Sequence, residues 1–112
     1  MRAFPEWRRP FFEWDPKRDK ENQRKHGVAC AKAQFAFADP SRVIAEDLSH
    51  SSGERRDYCF GRVEGGVLTV RFTSRDDVVR IVGAGYWRRG TATYERENQM
   101  HGRAARKTED HS

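Results

Sequence analysis

The chain has 112 residues, with 22 lysines and arginines against 17 acidic side chains, so it carries a net charge of +5. That length fits one domain, and an apolar fraction of 36% against a charged fraction of 35% predicts a small core under a highly charged surface. Two cysteines without a Cys-x-x-Cys spacing and four histidines without a zinc spacing argue against a disulfide framework or a metal cage, and no apolar run reaches the length of a membrane span.

The N-terminus lacks the apolar core of a signal peptide, so the expected compartment is a reducing cytoplasm. Cys30 and Cys59 read as small buried apolar residues. The charge excess is mostly arginine, whose planar fork suits phosphate or carboxylate. It points to nucleic acid or an acidic protein as partner, with plain solubility as the competing reading.

Residues 1–10 hold Phe4, Trp7 and three arginines between prolines, and read as an irregular extension. Phe12 and Trp14 then alternate with Glu13, as a half-buried strand requires. Asp15 is a helix cap, Pro16 suits the first helical position, and Gly27 suits the left-handed residue past the last turn. The helix over 16–26 has no apolar residue after Pro16. Its support is expected from caps and from pairs such as Lys17–Glu21 and Glu21–Lys25, each worth a few tenths of a kcal/mol. Lys17, Lys20 and Arg24 form a basic stripe, either a solvated face or a contact face for RNA or an acidic partner. A second helix is predicted over 29–38, with Cys30, Ala33 and Phe37 facing the core, Ala31 and Phe35 beside them, and Asp39-Pro40 as its stop.

The remainder reads mostly as strand. Val43-Ile44-Ala45 is a short one, followed by a Ser/Gly-rich loop containing His50. Tyr58 and Phe60 face one way on the next strand, with Cys59 and Val63 opposite, and Glu64-Gly65-Gly66 is a hairpin turn. Leu68, Val70 and Phe72 then alternate with Val67, Thr69, Arg71 and Thr73, and Val79 and Ile81 with Val78, Arg80 and Val82. Gly83, Gly85 and Gly90 punctuate Tyr86-Trp87-Arg88-Arg89, a short helix is predicted from about Thr91, and residues 98–112 are expected to be disordered. The predicted class is α+β: two N-terminal helices packed on an antiparallel sheet of about four strands, then a short C-terminal helix. The domain spans 11–97, between the extension and the tail.

Arg71 and Arg80 occupy polar positions of neighbouring strands, with Arg75 in the turn between them. Convergence of these guanidinium groups, with the Thr73 hydroxyl, would suit a phosphate that gains charge during attack. The competing reading pairs them with Glu64, Asp76 and Asp77 across strands. His26 is of the residue type that titrates near neutrality, yet it also sits where a helix dipole favours a cation. Trp87 or Tyr86 either stacks on an unpaired base or closes the core edge.

The ordered series Phe12-Glu13-Trp14-Asp15-Pro16, Asn22, Lys25-His26-Gly27-Val28, Asp39-Pro40, Gly53-Glu54-Arg55-Arg56 and Gly61-Arg62-Val63 resembles the BrnT family, toxins of bacterial type II toxin–antitoxin pairs. Val67-Leu68-Thr69-Val70-Arg71-Phe72-Thr73 and the run from Arg80-Ile81-Val82 to Arg88-Arg89-Gly90 extend the likeness over about 11–97. The resemblance implies a RelE-like fold and a metal-independent ribonuclease without cofactor, in which the RNA's own 2′-hydroxyl attacks the adjacent phosphorus. On that pattern Arg75 and Arg80 stabilise the phosphate, His26 or Glu54 is the base, Glu54 alternatively orients Arg56, and Lys25, Arg71, Arg88 and Trp87 bind RNA. It also implies a BrnA-like ribbon-helix-helix antitoxin as partner, operator DNA bound only through that complex, and no membrane. Many members carry Ser-Ala-Arg after the last strand, whereas this chain has Gly83-Ala84-Gly85. Arg88 or Arg89 then serves from a shifted position, or activity is weakened. The alternatives are a non-catalytic nucleic-acid-binding module and an inactive interaction subunit.

Overall fold

The computed structural model describes residues 11–50 and 53–110, so the expectation for residues 1–10 lies outside the described residues. The elements run β1 (Phe11–Trp14), α1 (Pro16–His26), α2 (Cys30–Ala33) with a 3₁₀ continuation (Gln34–Ala38), β2 (Val43–Glu46), a 3₁₀ turn (Leu48–His50), β3 (Asp57–Val63), β4 (Gly66–Arg75), β5 (Val78–Gly85) and α3 (Arg88–Asp110). The strands form one sheet in the order β1-β5-β4-β3-β2. β3, β4 and β5 make the predicted antiparallel meander, and β2 adds antiparallel to β3. β1 pairs parallel to β5, from Phe11↔Val78 to Trp14↔Ile81. The class is therefore α+β as expected, but the sheet is five-stranded and mixed rather than antiparallel with about four strands.

α1 has the caps its sequence asks for. The Asp15 carboxylate accepts from the Lys17 amide at 2.9 Å, and Gly27 sits at φ 68° with its N–H on the Gln23 carbonyl. Glu21 pairs with Arg24 at 2.5 Å and with Lys25 at 3.4 Å, so Arg24 stands where Lys17 was expected. The next helix tightens after one turn. With three residues per turn, Cys30, Ala33 and Ala36 line up toward the core and Phe35 turns outward, 59% exposed, against expectation. Phe37 still packs inward, edge-on to Phe72.

The main core lies between these helices and one sheet face, built from Leu68, Val70 and Phe72 of β4 with Val79, Ile81 and Ala84 of β5. Cys30 and Cys59 are free and fully buried within it, and burial pushes both thiols up to about 12. The β3–β4 loop is Glu64-Gly65, with φ of 52° and 83°, the double positive φ that a two-residue hairpin of matching twist requires.

α3 packs on the other face through Tyr94, against Phe60 and Val67. It starts at Arg88 rather than about Thr91 and runs through Asp110, so it is longer than the expected short helix. No proline interrupts the segment and it is rich in strong helix formers, which carry a helix without apolar residues. Asp39 ties this helix down. Its carboxylate accepts from the Tyr94 hydroxyl at 2.6 Å, the Arg62 amide at 2.7 Å and the Ser41 amide at 2.8 Å. Among the described residues, no helix is long and apolar enough to cross a membrane.

Candidate functional site

On its sheet face α3 packs against both β3 and β4. Arg71, Thr73 and Arg75 follow one another on this face of β4, about 7 Å apart along the strand. Thr73 is opposite Arg80 of β5, and Arg71 is opposite Gly83. The register slips between Arg71 and Phe72, leaving Val82 as an extra residue on β5. This bulge re-phases β5, so that Ala84 joins the core while Gly83 turns toward Arg71, its would-be Cβ 3.7 Å from Arg71 Nη2.

Among the described residues, two clefts open on this face. The larger, about 500 Å³, is lined by His26, Tyr58, Thr69, Arg71, Trp87 and Arg89, with Asn22, Phe60, Gly90 and Thr93 completing it. The other, about 480 Å³, is lined by Glu13, Glu54, Thr73, Arg75 and Arg80 beside Gly53 and Val78. A shallower depression of about 230 Å³ shares His26 and Arg71 with the first and adds Arg18, Glu21 and Lys25.

Three elements set the larger cleft. Asn22 of α1 is 8% exposed, and its amide donates to the Val28 and Ala84 carbonyls, both at 2.8 Å, while its oxygen accepts from the Ala84 N–H at 3.1 Å. It thereby satisfies the edge of β5 beyond the end of β1 and fixes the last turn of α1, which carries His26. The imidazole meets the Trp87 ring edge-on at 5.1 Å. Trp87 lies over Gly85, where a Cβ would come 2.5 Å from the indole, so the position without the arginine is filled by this ring. α3 comes so close to β4 at Gly90 that a Cβ there would overlap the Thr69 hydroxyl. That approach brings Arg89 and Thr93, one turn apart on the helix, to the rim.

The clefts differ in charge. Among the residues lining the larger one are Arg71, Arg89 and His26 and no carboxylate. In the other, Arg75 and Arg80 face Glu13 and Glu54, and Arg80 Nη1 lies 3.3 Å from Glu13 Oε1. Burial and a hydrogen bond to Asp47 push the Tyr58 hydroxyl up, so its proton stays in place at neutral pH.

The predicted site residues thus fall into groups. Glu54, Arg75 and Arg80 come together with Thr73 in one cleft. His26, Arg71 and Trp87 meet in the other. Lys25 lines the depression beside it and pairs with Glu21. Arg56 is half-buried ahead of β3, its carbonyl accepting from the Asp47 amide at 2.8 Å, and it is not among the residues lining either cleft. Arg88 lies with Tyr86 and Glu95 along another groove. Tyr58, Thr69 and Asn22 were read only as strand or motif positions, because only the tertiary fold brings them to the cleft. Arg89 was separated from Arg88 only by the phase of a helix that begins three residues early.

A family model described as "Ribonuclease toxin, BrnT, of type II toxin-antitoxin system" matches residues 14–90. No curated protein matches the chain.

Proposed function

The chain belongs to the BrnT family of type II toxin–antitoxin ribonuclease toxins, and from that premise we propose that it cleaves RNA in the larger cleft, without a metal, by attack of the RNA's own 2′-hydroxyl. One observation carries the choice of cleft: two arginines and a histidine line it with no carboxylate among its lining residues, whereas the arginines of the other are balanced by Glu13 and Glu54. A phosphodiester needs unneutralised positive charge, most of all as its oxygens gain charge in the transition state.

The scissile phosphate lies beside Arg71 and Arg89. His26 takes the proton of the 2′-hydroxyl, the 2′-oxygen bonds to phosphorus, and the bond from phosphorus to the 5′-oxygen breaks. That oxygen takes a proton from water. The products are a 2′,3′-cyclic phosphate and a 5′-hydroxyl. Trp87 and Lys25 hold the strand on either side of His26. The neighbouring cleft continues the groove for the flanking phosphates, and Arg88 lies beyond its rim.

A second reading places the reaction in that neighbouring cleft, with Glu54 as base, Arg75 and Arg80 on the phosphate, and Arg56 oriented by Glu54. The convergence of Glu54, Arg75, Arg80 and Thr73 supports it. Under either reading the toxin domain is 11–97, which encloses the matched residues, and the fold is RelE-like. The family description supports a protein antitoxin as partner. We take it to be BrnA-like, with a ribbon-helix-helix part through which the complex reaches operator DNA, in the cytoplasm where its RNA substrate is found. Purified toxin and antitoxin should elute as one larger species; separate elution at micromolar concentration would remove that partner.

The test is cleavage of naked RNA in excess EDTA by the wild-type chain and by Arg71→Ala, His26→Ala and Arg80→Ala, each checked for folding by circular dichroism. Loss of one phosphate-stabilising donor costs about 10²–10³ in rate. Losses of that size in Arg71→Ala and His26→Ala, with a smaller one in Arg80→Ala, are expected. The reverse order moves the reaction to the second cleft. Binding without cutting, with or without added ribosomes, replaces the enzyme by a binding module.

A further inference from the structure

We infer that the larger cleft seats one unpaired nucleobase of the RNA and that the Thr69 hydroxyl reads that base's edge. The inference rests on the reading above that RNA occupies this cleft. Thr69 is 5% exposed, and its Oγ1 is buried with no hydrogen-bond partner. Buried polar atoms are almost always paired, and one left unpaired calls for an explanation. Valine would fill the same space without that cost, so folding alone does not account for a hydroxyl here. A hydroxyl both donates and accepts, which suits the mixed donor and acceptor edge of a base.

The surroundings fit the same ligand. Tyr58 and Phe60, side by side on β3 with ring centroids 5.7 Å apart, form one wall, and Trp87, 37% exposed, stands at the opening. Rings of this kind stack on any base, while the edge contact supplies the choice among bases. Arg71 and Arg89 line the same cleft, as the phosphates flanking a splayed-out base require. The cleft's volume of about 500 Å³ lies within the usual range for small-molecule sites. A base held in a duplex presents neither its face nor its Watson–Crick edge, so the ligand is single-stranded.

The experiment measures binding of uncleavable 2′-deoxy hexamers: four homopolymers and one carrying an abasic residue in the middle. The wild type should favour one base over the abasic hexamer by about tenfold, the size of one stacking contact. Thr69→Val should melt no lower than the wild type and bind the favoured hexamer about fivefold more weakly, the size of one hydrogen bond. Thr69→Ser should keep the preference. Equal binding of the abasic hexamer, an unchanged preference in Thr69→Val, or no binding to any hexamer overturns the inference. So does a Thr69→Val defect confined to binding purified antitoxin, which would give the cleft to a protein side chain. Base preference lost in Thr69→Val, with ribose hexamers left uncut by the wild type, supports the base pocket and removes the ribonuclease reading. Cutting with an identical base pattern in both proteins supports the ribonuclease and removes the pocket.

Discussion

Asn22 shows how much one side chain arranges here. It sits on a helix with no apolar residue after its first position, yet it is the buried residue of that helix, and it meets three backbone groups on two other segments. Asn22→Ala leaves those groups buried and unpaired, and should destabilise the fold by about 3 kcal/mol in urea unfolding. Asn22→Asp keeps the shape but turns a donor toward two carbonyls into a second acceptor, so it should cost nearly as much at neutral pH. A loss under about 1 kcal/mol for both would show that water replaces the amide. The caps at Asp15 and Gly27 were legible because their partners lie within a few residues. Asn22 was visible only as a motif position, since its partner Ala84 is 62 residues away. The meeting of Thr73, Arg75 and Arg80 followed the expectation from alternation and the turn, whereas Arg71, expected beside them, lines the other cleft, and Glu54 was named only through the family resemblance. The charge balance of the cleft of Arg75 and Arg80 was not foreseen, because Glu13 reaches it from a strand whose pairing is not local.

Among the elements, α3 bears most directly on the site, because its first turn supplies Arg89 and Gly90 while its second is anchored at Tyr94. The anchor has a predictable pH dependence. Burial opposes the Asp39 charge, but the Tyr94 hydroxyl and the Arg62 and Ser41 amides outweigh it and hold the carboxyl below its usual range. A carboxyl lowered in the folded state stabilises above the unfolded value, near 4, and its contribution is lost as pH falls through the lower folded value. The stability difference between wild type and Asp39→Asn should therefore be constant from neutrality to about pH 4 and shrink below it. Tyr94→Phe, which removes a hydrogen bond to a charged acceptor, should cost about 2 kcal/mol and slow cleavage by loosening Arg89. A difference that grows toward low pH would mean that Asp39 is not held as a carboxylate. The β3–β4–β5 meander was readable because strict alternation over long strands fixes both face and register. The direction of the four-residue β1 was not, for so short a strand carries no signal about its neighbour. Nor was the length of α3, since a segment with few apolar residues offers no periodicity by which to extend a helix.

At the scale of the molecule, a surplus of five positive charges says little about where RNA lies until it is known which arginines are already neutralised. Arg80 meets Glu13, Arg24 meets Glu21 and Arg55 meets Asp57. Arg71 stands at the junction of the larger cleft and the depression beside α1, where Glu21, the one carboxylate among the residues lining either, already faces Arg24 and Lys25. Counterions gather where charge is unbalanced, and binding a single strand releases about 0.7 of a counterion per neutralised phosphate. The salt dependence of RNA binding should therefore report the path of the strand. Arg71→Ala and Arg89→Ala should each flatten the slope of log K against log salt by about 0.7. Arg80→Ala should flatten it less, because a guanidinium already paired with Glu13 holds fewer counterions to release. Glu13→Gln offers the converse. It frees Arg80, and should steepen the slope and strengthen binding at low salt if the strand runs on into the second cleft. An unchanged slope in Glu13→Gln would confine the RNA to the cleft of Arg71, Arg89 and Trp87. The second cleft would then be left as a cross-strand charge network whose contribution is to the sheet.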